Sequence, residues 1–169
     1  MRRILMQPNR RPRGVSMIEV VVVLAITAAG VGMAVPYYKD YSTNARLREA
    51  GMALLSEAMA AQSEAIKRNG PVRLVVSPSD SNNGSILSVV DSANPNTPLR
   101  TRSLGQNLFG TNTTITFGGS GALAPLGAAV PGVVEVSMNN TSCTSDLRCP
   151  ALVVQIGGGM KFCKDKKSC

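Results

Sequence analysis

Glu19 is the residue whose position most needs a chemical explanation. This carboxylate lies within Val15–Val35, an apolar stretch in which Ser16 and Thr27 are the other polar side chains. A carboxylate near the centre of a lipid bilayer costs about 2.5–3.5 kcal/mol on insertion scales, so an ionisable residue in such a segment indicates a functional role. A buried charge is tolerated in apolar surroundings when it is paired. The sequence therefore predicts a cationic partner for Glu19.

The chain offers few other groups for chemistry. It has no histidine, which removes the commonest general base and the commonest metal ligand. Its carboxylates show no close pair suited to acid–base catalysis. Two glycine-rich segments, 118–121 and 157–159, lack the following helix and the Gly-Lys-Ser/Thr of a phosphate loop, and are predicted to be turns. The sequence thus indicates no catalytic residue, no metal site and no cofactor, and it argues against an enzyme.

The apolar stretch is long enough to span a membrane. A helix over Val15–Val35 rises roughly 30 Å, the thickness of the hydrocarbon core. Arginines precede this segment and none lies within it, so the positive-inside bias places its N-terminal end in the cytoplasm. A cleaved secretory signal is the alternative, but its apolar region has about 7–15 residues. Here the helical pattern continues beyond Pro36. We predict a single membrane-spanning helix over residues 15–35.

The start of this segment resembles the cleavage site of type IV prepilins and pseudopilins. Gly14, followed by Val15-Ser16-Met17-Ile18-Glu19, carries the resemblance. In that family a short basic leader ends in Gly, a dedicated peptidase cuts on the cytoplasmic side, and the new N-terminus is methylated. A Glu lies four residues beyond it. The resemblance implies a cut between Gly14 and Val15, with residues 1–14 as the leader. The chain departs from the family in having Val15 for the usual Phe and Ser16-Met17 for Thr-Leu.

The resemblance also supplies a partner for Glu19. After cleavage, Val15 would carry a free amino group, which is positive at neutral pH. When helices pack side by side in a filament, Glu19 of one subunit can meet the new N-terminus of a neighbour. Glu19 is therefore predicted to set the register of assembly. Pro36, the twenty-second residue after the cut, matches a helix-softening proline found in many pilins.

The family implies a location and a set of partners. The subunit would sit in the inner membrane with one pass and a periplasmic C-terminal domain, and would then enter an extracellular filament. Its implied partners are prepilin peptidase, the inner-membrane assembly platform and other major or minor pilins or pseudopilins.

Three functions remain open. The first is a minor pilin of a type IV pilus, near its tip and aiding DNA uptake; it is favoured because a basic, disulfide-bridged tail suits an exposed surface. The second is an H-type minor pseudopilin of type II secretion. The third, from a different class, is a membrane-anchored periplasmic binding module that never enters a filament.

Beyond Pro36 the pattern predicts an amphipathic helix over residues 36–70. Apolar and small residues repeat at spacings of three and four, and charged residues occupy the other positions. The predicted apolar face is Leu47, Gly51, Leu54, Ala58, Ala61 and Ala65 with Ala50, Leu55 and Ile66 beside it, and the predicted polar face includes Arg48, Glu49, Glu57, Glu64, Lys67 and Arg68. Asn69-Gly70-Pro71 predicts the helix end, with Gly70 in the left-handed position.

Short strand-like runs follow, each bounded by Gly, Pro or Asn. They are Val72–Ser77, Ser85–Val90, Thr113–Phe117, Val133–Met138, Leu152–Ile156 and Met160–Cys163, with Leu99–Leu104 as a weaker candidate. One long N-terminal helix followed by antiparallel strands predicts an α+β fold, in which residues 71–169 form a sheet packed on the helix. Two stretches here, Ser63–Asn69 with Pro71-Val72 and Ile115-Thr116-Phe117 with Gly121, resemble H-type pseudopilins and FimT- or FimU-like minor pilins.

Basic residues gather near the C-terminus. In FimT-like proteins a Gly-Arg-x-Arg motif at the last hairpin contributes to DNA binding, but here the aligned stretch is Gly158-Gly159-Met160-Lys161. The resemblance therefore leaves two interpretations: a solubilising tail, or weak DNA binding without sequence preference. The residues proposed to contact DNA are Arg148, Lys161, Lys164, Lys166 and Lys167.

Four cysteines lie in the same region: Cys143, Cys149, Cys163 and Cys169. Their spacing lacks the tight pair of a zinc knuckle, so disulfides in an oxidising compartment are predicted. Three pairings are possible. Nested pairing, Cys149–Cys163 with Cys143–Cys169, is favoured because the last two predicted strands should form a hairpin that brings both pairs opposite each other. Local pairing, Cys143–Cys149 with Cys163–Cys169, and crossed pairing remain open.

Overall fold

A computed structural model describes residues 14–77, 84–124, 132–138 and 148–169. The chain divides into two compact units, the first ending at Lys39 and the second running from Asp40 to Cys169. One helix, α1 (Met17–Arg68), contributes to both units and contains Pro36. The leader residues 1–13 and Cys143 lie outside the described residues.

The C-terminal end of α1 is closed by a Schellman motif. The Asn69 N–H donates to the Ile66 carbonyl and the Gly70 N–H donates to the Ala65 carbonyl, both at 3.1 Å. Asn69 has a φ of 49° and therefore occupies the left-handed position. The prediction of the helix end was right to within one residue, but the assignment of the left-handed position to Gly70 was wrong. Asn tolerates this conformation better than most residues with a side chain.

Within the second unit, α1 buries one face made mostly of small residues. The buried residues are Leu47, Ala50, Gly51, Ala53, Leu54, Glu57, Ala58, Ala61 and Ala65. The predicted stripe is confirmed, with two corrections. Ile66 is 54% exposed, and Glu57, predicted on the polar face, is fully buried. Small side chains let α1 come close to the strands: a methyl group at Gly51 would lie 2.8–2.9 Å from atoms of Phe162 and Pro150.

The described strands form two four-stranded antiparallel sheets. They are β1 (Val72–Ser77), β2 (Ile86–Asp91), β3 (Pro98–Ser103), β4 (Leu108–Gly110), β5 (Thr113–Phe117), β6 (Val133–Met138), β7 (Ala151–Val154) and β8 (Met160–Cys163). The first sheet has the order β3-β2-β1-β5 and the second β4-β6-β7-β8. The α+β class is confirmed, but the strands that were predicted to share one sheet are divided between two.

A single buried core joins α1 to both sheets. Leu54 and Ala58 of α1 belong to one cluster with Leu74 of the first sheet and Leu152 of the second. Strand β3 differs from the others because all six of its residues are exposed. It is the edge of the first sheet, and its pairing partner β2 is the strand that reaches the core.

The last hairpin has a register that rules out the nested disulfides. Ala151 lies opposite Cys163 and Val154 lies opposite Met160, because the turn between the strands contains five residues rather than four. Cys149 is therefore two residues out of register with Cys163. After β8 a short 3₁₀ helix, Lys166–Ser168, turns the chain back and brings Cys169 within 5.5 Å of Cys163, measured between Cα atoms.

The structure thus contains a Cys163–Cys169 disulfide, and Cys149 is also disulfide-bonded. The favoured nested pairing and the crossed pairing are both wrong. Cys163–Cys169 belongs to the local alternative.

Both glycine-rich segments are turns, as predicted. The Gly121 N–H donates to the Gly118 carbonyl, and the Gly158 N–H donates to the Gln155 carbonyl, each at 2.8 Å. The Gln62 side chain joins the two turns to α1, because its Nε2 donates to the carbonyls of Gly121 and Gly158, both at 2.8 Å.

Candidate functional site

The predicted processing site lies at the start of the described chain. Gly14 and Val15 are exposed and precede the first residue of α1. A methyl group at Gly14 would have no neighbouring atom within 4 Å.

Glu19 lies in the first turn of α1 and is exposed. A negative charge there is favoured by the helix dipole, by about 0.3–1 kcal/mol. Within the described residues, no cationic side chain comes within 4.0 Å of its carboxylate. Glu19 lies in a shallow apolar hollow with Val15, Val20, Val23 and Leu24. A partner for its charge must therefore come from the solvent, from the leader or from another molecule.

The first unit exposes a continuous apolar surface. Met17, Ile18 and Leu24 are 87%, 69% and 62% exposed, and none of the residues from 14 to 41 is buried. α1 is long and apolar enough to cross a membrane. An exposed apolar face of this size marks a membrane or protein contact.

The structure divides the five basic residues proposed for DNA. Lys166 pairs with Glu135 at 2.6 Å, and the Lys161 ammonium donates to the Cys169 carbonyl at 3.2 Å. Arg148 and Lys164 instead line a common cleft beside α1, together with Arg48. Lys167 lies in the 3₁₀ helix and is exposed. The five residues therefore do not form one patch in which every charge is available to a ligand.

Sequence reasoning missed the ion pair between Glu57 and Arg100. Glu57 is fully buried, and the Nε of Arg100, from the exposed edge strand β3, lies 3.0 Å from Glu57 Oε2. Within the described residues, neither oxygen of Glu57 accepts a well-aligned hydrogen bond. A signal for the burial existed in the sequence, because Glu57 follows Leu54 by three residues and precedes Ala61 by four.

An ionic cluster fixes the C-terminal turn of α1. Arg68 contacts Glu64 at 2.9 Å and Asp91 of β2 at 3.2 Å. The hydrogen bond from the Arg68 guanidinium lowers the pKa of Glu64 below its ordinary value, and the nearby charge of Lys67 acts in the same direction. The hydrogen bond to Glu64 likewise raises the pKa of Arg68. These partly exposed groups connect the helix to the first sheet.

Comparison with known proteins agrees with these features. The chain matches the family model described as type II transport protein GspH over residues 50–158, and the prokaryotic N-terminal methylation motif over residues 9–35. No curated protein shows significant sequence similarity to it.

Two crystal structures of the type IV minor pilin FimU from Pseudomonas aeruginosa strain PAO1 share the fold. Each is 20% identical to this chain. One has a TM-score of 0.52 and covers 68% of this chain and 90% of the FimU chain. The other has a TM-score of 0.54 and covers 72% and 91%. At this identity the likeness concerns the fold.

The methylation motif coincides with the exposed apolar helix, and the GspH match covers most of the second unit. Because that match extends over more than half of the chain, the protein belongs to the GspH family of the type IV pilin and pseudopilin superfamily, as a membrane-anchored minor pilin or pseudopilin.

Proposed function

We propose that the protein is a minor subunit of a type IV pilus, stored in the inner membrane and assembled near the tip of the filament. Prepilin peptidase would cut between Gly14 and Val15, and the new Val15 amino group would be methylated. The observation that carries this proposal is the exposed apolar unit with Glu19 as its single acidic residue.

The first unit requires two successive environments. Its apolar side chains need lipid before assembly and neighbouring helices afterwards, since exposed apolar surface costs roughly 25 cal/mol per Å² in water. Lipid tolerates Glu19 poorly, whereas a neighbour's Val15 amino group would pair with it. Residues 15 and 19 lie about 6 Å apart along a helix axis. An axial offset of about one turn between neighbours would therefore bring the two charges together.

The type II secretion alternative has its own support. The matching family model is described as a type II transport protein, whereas the similar solved structures are of a type IV minor pilin. Deleting the gene distinguishes the two systems. Loss of surface pili with normal protein secretion supports the pilus, and the reverse result supports type II secretion.

Mass spectrometry of the membrane-extracted protein tests the processing step. Cells with active prepilin peptidase should yield a chain that begins at methylated Val15. Replacing Gly14 with a bulky residue should leave the leader attached, while a matched replacement of Gly30, in the exposed part of α1, should leave the cut unchanged. A mature chain that keeps Met1 would contradict the pilin proposal.

We further propose that the protein aids DNA uptake. Two exposed cations support this role. Arg148 and Lys164 line the same cleft, and within the described residues neither side chain has an acidic partner. The full-length protein in detergent should retard duplex DNA regardless of sequence, with an affinity that falls steeply as salt rises. The double variant Arg148→Gln/Lys164→Gln should lose this binding. The control Lys166→Gln removes a lysine already paired with Glu135 and should keep it.

A further inference from the structure

Five exposed basic residues surround one turn of α1 in the second unit. Arg46 and Arg48 belong to the helix, Arg102 belongs to β3, Arg148 precedes β7, and Lys164 follows β8. We refer to these five residues as the basic collar. They come from four separate parts of the chain, so no single stretch of sequence contains them.

The burial of Leu47 places its two basic neighbours on opposite flanks of the helix. This residue is fully buried, and Arg46 and Arg48 lie about 100° to either side of it, because successive helical residues rotate by that angle. Arg46 lines a cleft of about 350 Å³ together with Arg102. Arg48 lines a cleft of about 660 Å³ on the other flank. The collar therefore has a cationic cleft on each side of one helical turn.

The collar residues lack acidic partners among the described residues, as do Arg73, Lys161 and Lys167, whereas four other cations of the second unit are paired. Arg68, Arg100 and Lys166 each lie within 3.2 Å of a carboxylate oxygen. For the five collar side chains, no carboxylate of the described ranges lies within 4.0 Å. Glu49 lines both clefts, but its single negative charge leaves a large positive excess. A partner for this surface must be anionic.

The position of the collar along the chain indicates which anion it meets. The apolar segment ends at Val35, and Arg46 follows eleven residues later in the chain. Tyr41 lines the larger cleft and is 74% exposed. Tyrosine is enriched where a membrane-spanning helix enters the headgroup layer. The unpaired positive charge thus surrounds the first turns of α1 in the second unit. These turns follow the membrane segment in the chain.

We propose that the basic collar binds acidic phospholipid headgroups while the subunit is stored in the membrane. This inference rests on the proposed storage in the membrane, where a lipid surface can contact the cations on both flanks of the helix; Arg148 and Lys164 would become available to DNA after assembly. Each basic residue near an acidic lipid surface contributes about five-fold to binding, and the attraction decays within a Debye length. Binding would hold the domain against the membrane before assembly.

Lysine acetylation of the full-length protein in nanodiscs tests this proposal. Lys164 should react at least about five-fold more slowly when the discs contain phosphatidylglycerol than when they contain phosphatidylcholine alone. Salt at about 1 M, which shortens the Debye length to about 3 Å, should abolish the difference. Lys67 provides an internal control, since its side chain is 76% exposed and lies in the last turn of α1. Its reactivity should be the same in both lipids.

Matched variants distinguish the collar from general basicity. Arg46→Gln/Arg48→Gln should remove most of the lipid-dependent protection of Lys164. Lys67→Gln/Arg68→Gln, which removes two cations from the other end of the same helix segment, should leave that protection intact.

Two results would overturn the proposal. One is equal reactivity of Lys164 in both lipids at low salt. The other is protection in phosphatidylcholine discs by added duplex DNA, with no effect of phosphatidylglycerol, which would make the collar a nucleic-acid surface instead.

Discussion

Glu19 and Glu57 both lie in apolar stretches of α1, but one carboxylate is exposed and the other is buried. Glu19 is exposed together with the apolar residues around it, and no described cation of the chain is within reach. Glu57 is fully buried and lies 3.0 Å from Arg100 of β3. In the first half of α1 no described residue supplies a partner for the charge, whereas in the second half the fold supplies one.

The difference shows how one helix can serve two purposes. Its second half is an ordinary core element whose buried face is covered by two sheets. Among the residues that the structure describes, none covers its first half, so we expect its apolar surface and its carboxylate to depend on the membrane or on other subunits. Changes to the first half should affect assembly and leave folding intact, and changes to the second half should do the reverse.

Glu19→Ala should have the largest effect. Insertion should be at least as efficient as in the parent, because a costly charge is removed. Incorporation into filaments should fall by two orders of magnitude or more, since breaking a buried ion pair costs about 3–5 kcal/mol. Quantifying the subunit in sheared filaments, against the exposed-site control Glu49→Ala, measures the effect. Equal incorporation of mutant and parent would contradict the proposed pairing.

Arg100→Met should destabilise the second unit while leaving Glu57 in place. The substitution leaves the Glu57 carboxylate buried without its cation. Such a change costs about 3–5 kcal/mol for fully buried pairs. Arg100 is 57% exposed, so water relieves part of this cost, and we expect about 2 kcal/mol. The urea midpoint of unfolding reports the change.

Two further variants sharpen this test of the ion pair. Arg102→Met, on the same face of β3, should shift the free energy of unfolding by less than about 0.5 kcal/mol. Glu57→Met should be tolerated better than Arg100→Met, because it removes the charge itself. The opposite order would show that Glu57 does not depend on Arg100.

Gln62→Ala should weaken the attachment of α1 to the glycine turns by about 1–2 kcal/mol. The substitution removes the donor to two carbonyl groups, those of Gly121 and Gly158. Hydrogen exchange should quicken at both turns together, whereas the exposed control Gln106→Ala should leave them unchanged. Faster exchange at one turn alone would argue against a shared anchor.

The smallest expected effect is the pH dependence of stability that Glu64 contributes. The hydrogen bond from Arg68 lowers the pKa of this carboxyl in the folded state, so its contribution is present above the pKa of the unfolded chain. It is lost as the pH falls through the lowered folded-state pKa. Thermal unfolding of the parent and of Glu64→Gln should therefore differ at neutral pH and converge in acid. A difference that grows on acidification would contradict this.

Local patterns predicted the regular elements well. The bounds predicted for β1, β5, β6 and β8 match the observed strands, because alternating apolar residues end there at turn-forming residues. The three-residue strand β4 was missed, since Leu108–Gly110 is too short to show a period. The division into two sheets was missed as well, because pairing partners lie far apart in the chain.

The disulfides show why a small error in register matters. The predicted four-residue turn would have left Cys149 one position from Cys163 across the hairpin, and the observed five-residue turn leaves it two positions away. Composition predicted bridges correctly, but partner choice depended on the turn and on the 3₁₀ helix that follows β8. Neither has a period that the sequence reveals.

The sequence by itself determined the membrane anchor, the methylation motif and the α+β class. Each of these depends on residues that are neighbours in the chain or recur at a helical or strand spacing, and such patterns are visible without knowledge of the fold. The tertiary structure alone decided that Glu57 is buried against Arg100, that Cys163 bonds Cys169, and that five dispersed cations enclose one turn of α1. These features depend on distances between residues far apart in sequence, and packing of the helix on two sheets sets those distances.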